Sequence, residues 1–66
     1  MRYQATRVTD GQTLQGTIDV EDASQAIAHV LTFLPKSSKP ANNEYVVVLT
    51  RNDKRVARER VTVIDE

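Results

Sequence analysis

The sequence predicts an α+β domain of ββαββ layout: a four-stranded, mainly antiparallel sheet with one amphipathic helix packed on one face. Three observations carry this expectation. Polar and apolar residues alternate on either side of Asp10-Gly11, a turn signal. An apolar stripe at helical spacing follows over residues 22–34. Then comes Glu44-Tyr45-Val46-Val47-Val48-Leu49-Thr50, the most strongly β-forming stretch of the chain, and a second alternating segment behind it.

The first hairpin is expected over about 2–9 and 12–20. A type I′ turn needs positive φ at both central positions, which suits Asp10-Gly11. With those two residues as the loop, Thr9 faces Gln12, Tyr3 faces Ile18, Ala5 faces Gly16 and Arg7 faces Leu14. One face of the hairpin is then mainly apolar. The other carries Gln4, Thr6, Thr13, Gln15 and Thr17.

The helix is expected over about 22–34, with Asp22 as N-cap and Gln25 completing a capping box. Ala23, Ala26, Ile27, Val30, Leu31 and Leu34 form its apolar stripe, and Pro35 stops it. Residues 35–43 read as a polar connector without an element of its own. The branched run at 44–51 suits an inner strand. A turn near Asn52-Asp53-Lys54, of two or three residues, leads to a last strand at about 55–64. There Ala57, Val61 and Val63 share one face and Arg58, Arg60 and Thr62 the other. The expected core is Tyr3, Leu14, Ile18, Ile27, Val30, Leu34, Val47, Leu49, Val61 and Val63.

Sixty-six residues make one domain, small enough for its stability to be marginal. The absence of cysteine excludes disulfides and thiolate zinc sites, and a single histidine cannot build the usual transition-metal site. Nine basic residues balance nine acidic ones, so global charge favours neither nucleic acid nor a membrane. No apolar run approaches the roughly 20 residues of a membrane span. The start of the chain carries no apolar signal segment, which makes the cytoplasm the expected compartment.

Candidate catalytic residues do not assemble into a constellation. His29 lies on the polar side of the helix and reads as a surface histidine. Asp19, Glu21 and Asp22 straddle a strand-to-helix junction, where capping explains them without a metal. Ser37-Ser38 has no nucleophile elbow, and Gly11 and Gly16 are too few to cradle a phosphate. The chain is expected to be non-enzymatic and to need no cofactor.

Charge is unevenly distributed. Between residues 51 and 60, Arg51, Lys54, Arg55, Arg58 and Arg60 stand against Asp53 and Glu59. One helix covers one side of the sheet, so the other side is open. Val46 and Val48 fall there beside Arg58 and Arg60, a modest apolar patch with a basic rim. Arg51, Lys54, Arg55, Arg58, Arg60, Val46 and Val48 are therefore the candidate partner-binding residues. The same arginines also suit an edge strand protected from aggregation. Nucleic-acid binding through the strand at 51–60 is the alternative, although Tyr45 is the one aromatic expected to be displayed.

The opening Tyr3-Gln4-Ala5-Thr6, the Asp10-Gly11 turn and Gly16-Thr17-Ile18-Asp19-Val20-Glu21-Asp22 before Ala26-Ile27 form a recognisable cadence. It resembles small stand-alone proteins of phages and mobile elements, in which a strand pair feeds an alanine-rich helix. The resemblance implies a binding role, exerted by occupying the surface of a larger host complex, as anti-restriction and anti-CRISPR proteins do. It assigns no functional residue. The expected function is accordingly a protein-interaction module acting by steric occupation. A nucleic-acid binder and a structural homo-oligomer, including a homodimer through the open face or a free edge, are the alternatives.

Overall fold

The computed structural model describes residues 1–63. Two strands, β1 (Arg2–Arg7) and β2 (Thr13–Thr17), precede a helix, α1 (Ala23–Leu31). Two more, β3 (Glu44–Arg51) and β4 (Lys54–Thr62), follow it. All neighbouring strands are antiparallel, in the order β2-β1-β3-β4. The fold is α+β with the expected ββαββ layout. The last position of the expected fourth strand, Ile64, lies outside the described residues.

The first hairpin is shorter than its turn signal suggests. Its loop is the four residues 8–11, closed by Arg7 N–H donating to Gln12 O at 2.8 Å and Gly11 N–H to Arg7 O at 2.8 Å. Only Gly11 of the turn pair has positive φ, at 74°. Asp10 is used differently: its Oδ1 accepts Gln12 N–H at 3.0 Å and its Oδ2 accepts from Arg7 Nη1 at 3.2 Å. An Asx-type turn followed by one left-handed glycine replaces the type I′ turn. The pairing moves by two residues, so Tyr3 faces Gly16 and Ala5 faces Leu14. A shift of two leaves each side chain on its own face, because the side-chain period is also two.

The second hairpin holds the type I′-like turn. Asn52 and Asp53 have φ of 52° and 63°, with Arg51 opposite Lys54. The register slips between Leu49 and Thr50: Leu49 faces Ala57 whereas Thr50 faces Arg55, which makes Val56 the extra residue of a bulge.

Asp22 caps α1 as its sequence position suggests, its Oδ1 accepting Gln25 N–H at 3.0 Å. The helix stops at Leu31, three residues short of Leu34. Thr32 ends it, its hydroxyl donating to the His29 carbonyl at 2.6 Å, and Pro35 disfavours helical backbone at Leu34. Leu34 is still buried, from outside the helix. The connector does contain an element, a 3-10 turn at Pro40–Asn43. Asn43 anchors it from within, accepting Ser37 N–H at 2.8 Å and donating to Ser37 O at 3.0 Å.

The core lies between α1 and the sheet face made by Ala5, Tyr45, Val47 and Leu49, with Ala26, Ile27, Val30, Ile18, Leu34 and Val63. Tyr45 is a correction. It is 1% exposed rather than displayed, because Arg7 reaches over it and donates from Nε to its hydroxyl at 3.4 Å. Leu14 is a second correction, exposed on β2 rather than in the core. The helix packs over β3 and β4 and leaves β2 uncovered. Tyr3 and Val61 are half-buried at the margin of the core.

Candidate interaction face

The uncovered face is built by strand alternation. Residues that pair across an antiparallel ladder project from the same face, and β3 buries Tyr45, Val47 and Leu49 against the helix. Val46, Val48 and Thr50 therefore point the other way and are half-buried. Across the sheet, Thr13, Thr6, Val46 and Arg60 form one row; Gln15, Gln4, Val48 and Arg58 form the next; Thr17, Arg2, Thr50 and Arg55 form a third.

Of the seven candidate residues, Val46, Val48, Arg55, Arg58 and Arg60 come together on this face. Arg51 and Lys54 do not. They pair with each other beside the turn with the parity of the helix side, and the Arg51 guanidinium donates to the Glu21 carbonyl. Alternation counted back from Ala57 would have put Arg55 on the helix side. The bulge at Val56 brings Arg55 to the open face instead. Arg2 joins from β1, next to Thr50.

Among the described residues, the face thus carries Arg2, Arg55, Arg58 and Arg60 against one carboxylate, Glu44, in a chain whose net charge is zero. Glu44 accepts from Arg60 Nη2 at 2.7 Å. Both partners are largely exposed, so the pair fixes the side chains' arrangement more than it stabilises the fold. Arg58 has no ion pair among the described residues. Successive residues on one face of a strand lie about 7 Å apart, so Arg58 and Arg60 form a regular basic ladder flanked by the valines. A shallow groove of about 430 Å³ crosses the β1–β2 end, with Arg2, Gln4, Gln15, Thr17 and Thr50 among its walls.

Arg7, the remaining basic residue of the hairpins, serves the fold. The Tyr45 hydroxyl first, and then Asp10, hold its guanidinium above the ordinary arginine value. The aromatic residues lie elsewhere. Tyr3 and Phe33 stack on the helix side with ring centroids 6.3 Å apart, and His29 meets Phe33 edge-on at 4.9 Å. Among the described residues, no three His, Cys, Asp or Glu side chains converge on a point that could hold a metal. No helix there is long and apolar enough to cross a membrane. Comparison with protein-family models, with curated proteins and with solved structures found no match.

Proposed function

We propose that the chain is a non-enzymatic protein-interaction module whose open sheet face docks against an acidic protein surface. The observation that carries this is the composition of the face. Half-buried Val46 and Val48 sit at its centre, with Arg55, Arg58 and Arg60 beside them and Arg2 across the sheet. Protein interfaces share this anatomy, with a partly apolar centre, arginine enriched and a polar rim. Guanidinium groups also form bidentate, directional bonds to carboxylates.

Nucleic acid is the competing reading, because the four arginines would also neutralise phosphates. Single-strand binding uses aromatic side chains as stacking platforms. Tyr45 is buried under Arg7, and Tyr3 and Phe33 lie on the helix side, so this face offers none. That absence favours the protein partner. The narrower form of the proposal is blockade of a host complex by a phage or mobile-element protein in the cytoplasm. It rests on the cadence of the sequence and is decided by what is captured.

The test is affinity capture from lysate with and without nuclease, using the wild type and the Arg58→Glu, Arg60→Glu double variant. A discrete protein that survives nuclease and is lost with the double variant is the expected result. Loss of everything on nuclease treatment transfers the face to nucleic acid. Capture indifferent to the double variant removes the face from the function.

A further inference from the structure

The two edges of the sheet are protected very differently. β4 carries Lys54, Arg55, Arg58, Glu59 and Arg60 and a bulge, which are the usual devices against edge-to-edge pairing. β2 is Thr13-Leu14-Gln15-Gly16-Thr17, with no charge, no proline and no bulge. The helix packs mainly over the far half of the sheet, and among the described residues no further strand pairs with this edge.

The ladder itself shows which backbone groups are free. Arg7 pairs with Gln12 and Met1 with Ile18 by main-chain hydrogen bonds. Hydrogen-bonded and non-hydrogen-bonded pairs alternate along an antiparallel ladder. Tyr3–Gly16 and Ala5–Leu14 are thus bonded pairs, and Thr13, Gln15 and Thr17 point their N–H and C=O groups away from β1. On the helix side of the same edge, Leu14 is 37% exposed and Phe33 51% exposed. Gly16 lies beneath the Tyr3 ring, so that an added Cβ would stand 3.0 Å from it.

We infer that β2 is a self-association edge whose occupant is the β2 strand of a second copy, antiparallel about a two-fold axis through Gln15. That register overlaps all five residues and sets Thr13 against Thr17 and Gln15 against its own copy. It forms about six main-chain hydrogen bonds from the outward-pointing groups. Leu14 then faces Gly16 of the other copy in a non-hydrogen-bonded pair, the closer of the two spacings. Each leucine then packs beside the Tyr3 ring that covers the facing Gly16, on the side of the sheet that carries Phe33. The contact is self-complementary, as a two-fold interface requires.

Charge selects the same edge. Two β4 strands meeting in this way would oppose four basic residues to four, whereas two β2 strands bring no charged side chains into register. The axis stands perpendicular to the sheet, so both helices lie on one side and the two arginine faces become one continuous surface. Five paired residues span about 17 Å. With Leu14 and Phe33 this buries less than the roughly 1,200 Å² of a standard interface. The dimer is therefore weak, with a dissociation constant on the order of 100 µM.

Sedimentation of the wild type over a concentration series tests this, together with amide exchange read residue by residue. The expected result is a mass rising from one chain towards two. Exchange at Thr13, Gln15 and Thr17 slows as concentration rises. Gln15→Pro removes an outward N–H without touching the β1 ladder, and Leu14→Lys puts a charge opposite Gly16. Each is expected to weaken association at least about tenfold, while Arg58→Glu leaves it unchanged. A wild-type mass of one chain up to about 1 mM overturns the inference. So does slowed exchange confined to other strands, or a mass that climbs past two chains, which signifies β2 adding to β4 in an open ribbon.

Discussion

Asn52 and Asp53 occupy left-handed backbone in a two-residue turn, where only glycine is free of a steric cost. Asparagine tolerates the first position well, and the favoured second residue of such a turn is glycine. Asp53→Gly is therefore expected to stabilise the fold by about 0.5–1 kcal/mol. A thermal melt should show a midpoint a few degrees higher, and an unchanged or lower midpoint would contradict the assignment. Tyr45 makes the complementary point. An aromatic with a hydroxyl is buried when the hydroxyl finds a partner, and Arg7, at 5.9 Å from the ring centroid, supplies both that partner and a cover for the ring.

At the scale of elements, the connector is held by one side chain. Asn43 is 6% exposed and satisfies both Ser37 backbone groups, while its own carbonyl accepts Val63 N–H at 2.8 Å. Alanine there would leave the Ser37 N–H and C=O without those partners. Asn43→Ala is expected to cost about 1–3 kcal/mol, read as a lower urea midpoint with an unchanged slope. The β4 bulge shapes the open face. By inserting Val56 it changes the face of Arg55 and so sets how many guanidinium groups the open side displays.

For the molecule as a whole, the core is thin and the charge is segregated. Bases gather on the open face, while Asp19, Glu21 and Asp22 lie at the β2–α1 junction. Domains of this size have total stabilities of roughly 3–10 kcal/mol. Leu49 is fully buried on an inner strand. Leu49→Ala is expected to cost about 2–5 kcal/mol, enough to leave a measurable unfolded fraction by circular dichroism at room temperature. Near-wild-type stability in that variant would mean that the core tolerates far more collapse than its packing suggests. Reversing Arg58 and Arg60, by contrast, should shift stability by only about 0.5 kcal/mol, so that any lost binding reports on the face itself.

Periodicity made the elements, the burial of Val47 and Leu49 and the side taken by Arg58 and Arg60 legible in the residues themselves. The reason is physical: a strand's two faces are set by a period of two, and even a hairpin displaced by two residues leaves its faces unchanged. The length of the first loop was not legible, because Asp10 could serve either as a turn residue or as a side-chain acceptor, and the Gln12 N–H and Arg7 decided it. Nor were the burial of Tyr45, the exposure of Leu14 or the place of Arg55. Each depends on a neighbour distant in sequence or on a bulge: Arg7 over the ring, a helix that reaches β3 and β4 but leaves β2 uncovered, and one extra residue opposite Thr50. Local pattern determined what each segment is and which way it faces. Contacts between segments decided which of those faces is covered.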